Sequence, residues 1–192
     1  GEDYDGNGIG EPMKIVKKPA IKGTTKPMAP QCNDSFSSTR LGLQWQFNHN
    51  PENSCWSLSS RKGWLELTAL HADSLRNARN QFTQKIMGYK GEVTVKLDYQ
   101  KMADGQRAGL ERIGKKYTGA GVLMTAGKAS VYFETGGKPQ IITSVNSKHH
   151  LIYLKLNLDE TVNRHFLSYS LDGKTYHPCG DTFSNFNKDW KG

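Results

Sequence analysis

No run of roughly 18 or more apolar residues, the length that a crossing helix needs, occurs in the 192 residues. A charged, apolar, small-residue leader is also absent from the start. A membrane is therefore not an expected partner, and location has to be inferred from elsewhere. Cysteine is scarce: Cys32, Cys55 and Cys179 form no Cys-x-x-Cys pair, which argues against a zinc ribbon or a disulfide framework. One bridge at most can form, so three thiols or a single structural disulfide both fit. Helical signal is confined to Asp73 to Arg79, short and polar enough for one turn or a protruding loop. No Gly-x-Ser-x-Gly elbow, phosphate-binding glycine loop or Cys-His signature is present. Nor is there an internal repeat, which argues against a propeller lying wholly within the chain.

Acidic residues are the minority charge, 18 Asp and Glu against 26 Lys and Arg, leaving a formal +8. That excess is not patterned for nucleic acid. Lys14, Lys17, Lys18, Lys22 and Lys26 gather near the start, while Lys115, Lys116 and Lys174 are scattered between turns. Neither the aromatic-basic signature of an RNA-binding sheet nor zinc-finger spacing appears, so nucleic acid is not an expected partner.

Residues 1–33 hold four of the seven prolines, Pro12, Pro19, Pro27 and Pro30, and read as a linker or extended arm. The opening Gly1-Glu2-Asp3-Tyr4-Asp5-Gly6 begins within a polar loop, so an excised part of a longer protein is expected. From residue 34 to 192 the apolar period becomes two. Leu43, Trp45 and Phe47 share one face; Leu65 and Leu67 another; Val93, Val95, Leu97 and Tyr99 a third. Val131 and Phe133 follow, then Ile152, Leu154, Leu156 and Leu158, then His165, Leu167, Tyr169 and Leu171. Hairpin signals such as Ala126-Gly127, Gly136-Gly137 and Asp172-Gly173 separate these runs. Consecutive half-buried strands must bury one face against another sheet, which predicts an all-β antiparallel sandwich of two sheets, with a closed barrel as the alternative.

Asp3, Asp5 and Asn7, with Gly8 and Glu11 nearby, place oxygens at alternate positions as the first half of a calcium loop does. The second half departs, with Pro12 and Lys14 where an exiting helix and a bidentate Glu would stand. A calcium site or a plain Asx-turn loop both remain open. The histidines, His49, His71, His149, His150, His165 and His177, show no ligand spacing and are expected at the surface or in local hydrogen bonds. Asp98, Asp104, Glu111 and Glu134 are the carboxylates available to glycoside chemistry, but they fall beside turns or on outward positions and read as solvated charge. Trp64, Tyr132 and Tyr153 fall on outward positions, where an exposed ring can stack on a pyranose face.

The run Leu41-Gly42-Leu43-Gln44-Trp45-Gln46-Phe47-Asn48-His49-Asn50-Pro51, with Trp56-Ser57-Leu58, Gly63-Trp64-Leu65-Glu66-Leu67-Thr68 and Ala78-Arg79-Asn80-Gln81-Phe82-Thr83-Gln84, resembles the C-terminal β-sandwich of glycoside hydrolase family 43. The likeness extends from Gly8-Ile9-Gly10-Glu11-Pro12 to Asp172-Gly173-Lys174. It implies a concanavalin A-like jelly roll behind a five-bladed propeller, in β-xylosidases and α-L-arabinofuranosidases acting on plant-wall xylan and arabinan. The propeller would carry the catalytic carboxylates, so no catalytic residue is expected in this chain. Leu75 to Phe82 resembles the loop that such a sandwich sends to the active-site rim, which makes Arg76, Asn77, Arg79 and Asn80 candidates for rim or interface contacts. A hairpin held by its own amides is the competing reading of that segment. The resemblance also implies closing strands beyond Trp190-Lys191-Gly192, to be either missing or supplied from elsewhere.

Three functions follow. The first is a non-catalytic sandwich that supports a family 43 active site, with an apolar surface uncovered in isolation. The second is a self-sufficient carbohydrate-binding module built on Trp64 and the outward tyrosines. The third, a stand-alone glycosidase, rests only on the carboxylates above. Relatives that degrade polysaccharides suggest a secreted or periplasmic location.

Overall fold

A computed structural model of the chain describes residues 3–11, 15–20, 23, 26, 28–114, 116–146 and 148–184. The expectation about strands beyond Trp190 lies outside these, as does part of the arm expected over residues 1–33. The chain divides into two compact units, Gly1–Gln31 and Cys32–Gly192. In the first, the described backbone is a polar loop around Asp3 followed by irregular chain.

The second unit begins with four two-residue strands, β1 (Gln46–Phe47), β2 (Trp56–Ser57), β3 (Glu66–Leu67) and β4 (Phe82–Thr83). β1 pairs with β4 and β2 with β3, both antiparallel. Ladders this short supply little cohesion, and rings supply the rest. Phe47 and Phe82 lie 4.6 Å apart, Trp56 stands 5.6 Å from each, and Trp45 joins Phe36 to Phe82. The Trp45 indole N–H donates to Asp34 at 2.8 Å, so its polar edge is not left unpaired. Leu43 does not share this face as the alternation predicts: it is fully exposed, at 103%. Leu43 and Gln44 form a turn closed by Trp45 N–H donating to the Gly42 carbonyl, so the strand period starts only at Gln46.

The long strands follow: β5 (Lys90–Asp98), β6 (Arg107–Ile113), β7 (Tyr117–Thr125), β8 (Lys128–Thr135), β9 (Lys138–Ser144), β10 (Leu151–Asp159), β11 (Arg164–Ser170) and the short β12 (His177–Pro178). They form two antiparallel sheets, ordered β12-β11-β10-β5 and β6-β7-β8-β9. The sequence's period of two becomes burial of period two most cleanly in β10, where Ile152, Leu154, Leu156 and Leu158 are buried and the residues between are half-buried. These four meet Ala120 and Val122 of β7, Val131 of β8, Leu167 of β11 and Cys179 in one aliphatic core. The two-sheet antiparallel sandwich is thereby the observed architecture. Val93, on the inward side of the edge strand β5, is an exception at 39% exposed.

The turn expected over 73–79 is a single 3-10 turn, Leu75–Asn77. Two hairpin tips take the left-handed backbone that tight reversals require, Ala126-Gly127 at φ 50° and 69° and Gly136-Gly137 at φ 66° and 88°. All three cysteines are thiols, Cys32 exposed and Cys179 buried.

Candidate functional site

The segment 75–82 leans on its neighbours through polar contacts. Asn48 Nδ2 donates to the Arg76 carbonyl at 2.8 Å, and the His49 ring meets the same oxygen. The Arg76 guanidinium reaches across to the Gly114 carbonyl, past the end of β6. Arg79 Nε donates to the Asn50 carbonyl at 3.1 Å, and Asn80 Nδ2 to the Thr68 carbonyl. Arg76, Arg79 and Asn80 therefore hold the loop in shape. Asn77, exposed on the same turn, makes no side-chain hydrogen bond among the described residues. Asn48, His49, Leu75, Arg76 and Asn77 form one wall of a cleft of about 310 Å³, and Ile113 and Tyr117 form the other.

Trp64 does not stand as a bare platform. The Arg61 guanidinium sits 4.0 Å over its ring and the Lys96 ammonium 5.4 Å away. Arg61 also pairs with Asp98 at 2.6 Å. Burial raises the Asp98 carboxyl, but the Arg61 hydrogen bond and the Gln100 N–H outweigh it and hold it below its usual range. Lys96 also lies 5.6 Å from the Tyr153 ring, so these two outward aromatics share one cation.

The carboxylates read as solvated charge divide. Asp104 accepts the Gly127 N–H at 2.8 Å and ties down the β7–β8 hairpin. Glu111 and Glu134 correct the expectation: Glu134 is only 3% exposed, Glu111 is half-buried, and the two stand either side of Gly119 in register across β6, β7 and β8. Tyr132, expected outward and accessible, is 2% exposed beside them. A retaining glycosidase pair flanks a sugar carbon at roughly 5 Å across an open cleft, whereas Glu134 and the neighbouring Tyr132 are closed off from solvent. The arrangement is therefore unsuited to that chemistry. His165 is another buried exception; its Nε2 lies 3.2 Å from Asn163 Oδ1, and burial lowers its basicity.

In the N-terminal unit, Asp3 accepts the N–H groups of Gly6, Asn7 and Gly8, and the last of these leads in holding its carboxyl below the usual range. Asp5 Oδ2 accepts from the Asn7 side-chain amide at 2.9 Å. Ligand oxygens of Asp3, Asp5 and Glu11 lie within 4.8 Å of one another, so Glu11 joins the set the sequence singled out.

Comparisons with known proteins place this geometry in a family. The family described as the beta xylosidase C-terminal Concanavalin A-like domain matches residues 33–190. A protein of Xylanibacter ruminicola that carries a beta-xylosidase name is 41% identical over the whole chain, which spans 35% of its length. A Formosa agariphila beta-xylosidase is 34% identical, again over the whole chain and 36% of its own length. Among solved structures, an engineered GH43 glycoside hydrolase described as both endo-xylanase and exo-arabinofuranosidase superposes with a TM-score of 0.76. Its identity is 27%, over 87% of this chain and 36% of that one. The chain thus spans about a third of each relative, and it belongs to the beta xylosidase C-terminal Concanavalin A-like domain family.

Proposed function

We propose that the chain is the non-catalytic C-terminal sandwich of a family 43 β-xylosidase or α-L-arabinofuranosidase acting on plant-wall xylan or arabinan. In this reading it supports an upstream five-bladed propeller and its active-site rim. The observation that carries the reading is the match of a C-terminal domain family to residues 33–190 of a chain covering about a third of its relatives. The loop at 75–77 fits the role, because Arg76 anchors it to the sheet and leaves Asn77 exposed beside the cleft. Ile86, Met87 and Tyr89 are exposed just before β5, where the Tyr89 carbonyl accepts the Glu160 N–H, and supply uncovered apolar surface. A secreted or periplasmic location and a calcium ion on Asp3, Asp5 and Asn7, with Glu11 as a further oxygen donor, belong to the same reading.

Affinity electrophoresis through gels containing arabinoxylan, arabinan or no polysaccharide tests it, together with turnover of aryl xylosides and arabinofuranosides. Unchanged mobility and no turnover are the expected results. Retardation abolished by Trp64→Ala would instead establish the second reading, a carbohydrate-binding module whose platform is the cation-flanked Trp64.

A further inference from the structure

On the face of β6, β7 and β8 turned away from the aliphatic core, Glu111 stands opposite Gly119, and Gly119 opposite Glu134. The three form one straight row across the strands. Glycine at the centre is what lets the row close, because a Cβ on Gly119 would overlap the Glu111 carboxyl. The Glu111 carboxyl therefore lies over the bare Gly119 backbone, in the same row as Glu134 and near enough for the two charges to act on each other.

The surroundings supply too little positive charge for two carboxylates. From its own strand Glu111 is faced by Arg107, whose guanidinium is spent on Glu134 at 2.8 Å. β7 offers the glycines 119 and 121, and β8 adds Glu134 itself and the neutral Tyr132 hydroxyl. At these registers β9 contributes Pro139 and Ile141, neither charged. Meanwhile Glu111 Oε2 is buried without a hydrogen-bond partner. Two ionised carboxylates here would leave one negative charge uncompensated and two like charges side by side. A single proton on Glu111 removes both penalties and gives the orphaned oxygen a donor role toward Glu134.

We propose that Glu111 holds a proton in the folded domain at neutral pH and shares it with Glu134, forming a clasp between β6 and β8 that fails when the proton leaves. Burial first, then the charge and hydrogen bond of Glu134, push the Glu111 carboxyl far above its ordinary 4.5, with Arg107 opposing. The sign of the linkage follows. The unfolded chain releases this proton in the ordinary carboxyl range while the folded chain keeps it, so stability is full in acid and falls as pH rises. Across that window the folding constant drops about tenfold per pH unit, the slope for one retained proton. The loss levels off once the folded pair itself ionises.

Urea unfolding of the full 192-residue chain between about pH 5.5 and about pH 8.5, beside E111Q, tests the clasp. The amide of that variant donates to Glu134 without titrating. Expected is a wild-type folding constant that falls relative to the variant by about tenfold per pH unit; parallel curves would overturn the proposal. Carbon-13 carboxyl NMR of the wild type needs no variant to fold. A Glu111 resonance in the protonated position through neutral pH supports the clasp, and one titrating near its ordinary 4.5 refutes it. Neither readout depends on what the domain does in its parent protein.

Discussion

Replacing Gly119 by alanine puts a methyl group where the Glu111 carboxyl lies, and the carboxyl has to leave its place beside Glu134. Losing the proposed proton-sharing hydrogen bond in a mostly buried site costs about 1–3 kcal/mol. Each kcal/mol lowers the melting temperature by about 2–4 °C for a domain of this size. In an E111A background the same methyl meets nothing to displace, and the stiffer alanine backbone returns up to about 1 kcal/mol. The cycle of G119A, E111A and the double variant, read by urea unfolding with tryptophan fluorescence at pH 7, should thus show a coupling of about 1–3 kcal/mol. Gly121 provides the contrast. A Cβ there would stand 2.7 Å from the Gly109 Cα and against the Ala108 carbonyl, both backbone atoms of the neighbouring strand. G121A should be destabilising in either background. Additive effects of G119A and E111A, or equal rescue of G121A by E111A, would refute the account of this face.

Two further outcomes follow from the fold. Leu154 is fully buried at the centre of β10, so L154A should cost about 2–5 kcal/mol in the same urea titration, and a loss under about 1 kcal/mol would contradict its place in the core. Asp172 Oδ1 accepts the N–H groups of Thr175 and Lys174 and the Ser170 hydroxyl, each at 2.8 Å, which together hold its carboxyl well below the usual range. Its contribution is therefore present above the ordinary 3.8 and lost as pH falls. D172N should flatten that acid-side loss, and an NMR titration placing Asp172 at an ordinary carboxyl value would negate the point.

The strand alternation was legible because it is local. Ile152 through Leu158 announce one buried face without reference to any other residue, and β10 carries them on one face. Leu43 shows where that logic stops: its period-two spacing to Trp45 and Phe47 is genuine, yet the Gly42–Trp45 turn moves it off the strand. The Glu111–Glu134 juxtaposition was not legible at all, since the residues meet only through the register of two successive hairpins. Gly119 and Gly121, glycines at alternate positions within a strand-like run, were the available signal of a close approach across the sheet. Loop residues were harder still. The types of Arg76, Arg79 and Asn80 invite a ligand, and the sequence does not show that each also donates to a backbone carbonyl, of Gly114, Asn50 and Thr68.

The rings of Phe36, Trp45, Phe47, Trp56 and Phe82 sit apart from the aliphatic core between the long sheets. Among the described residues two-residue ladders, stacked rings and a few side-chain hydrogen bonds knit that region, so its local opening breaks no ladder of the long sheets. The segment bearing Asn77 is consequently mounted on its own adjustable plate. Ring-for-ring substitutions beneath it can tilt or loosen the loop while the sandwich stays folded, giving the domain a means of retuning what it presents without renegotiating its foundation.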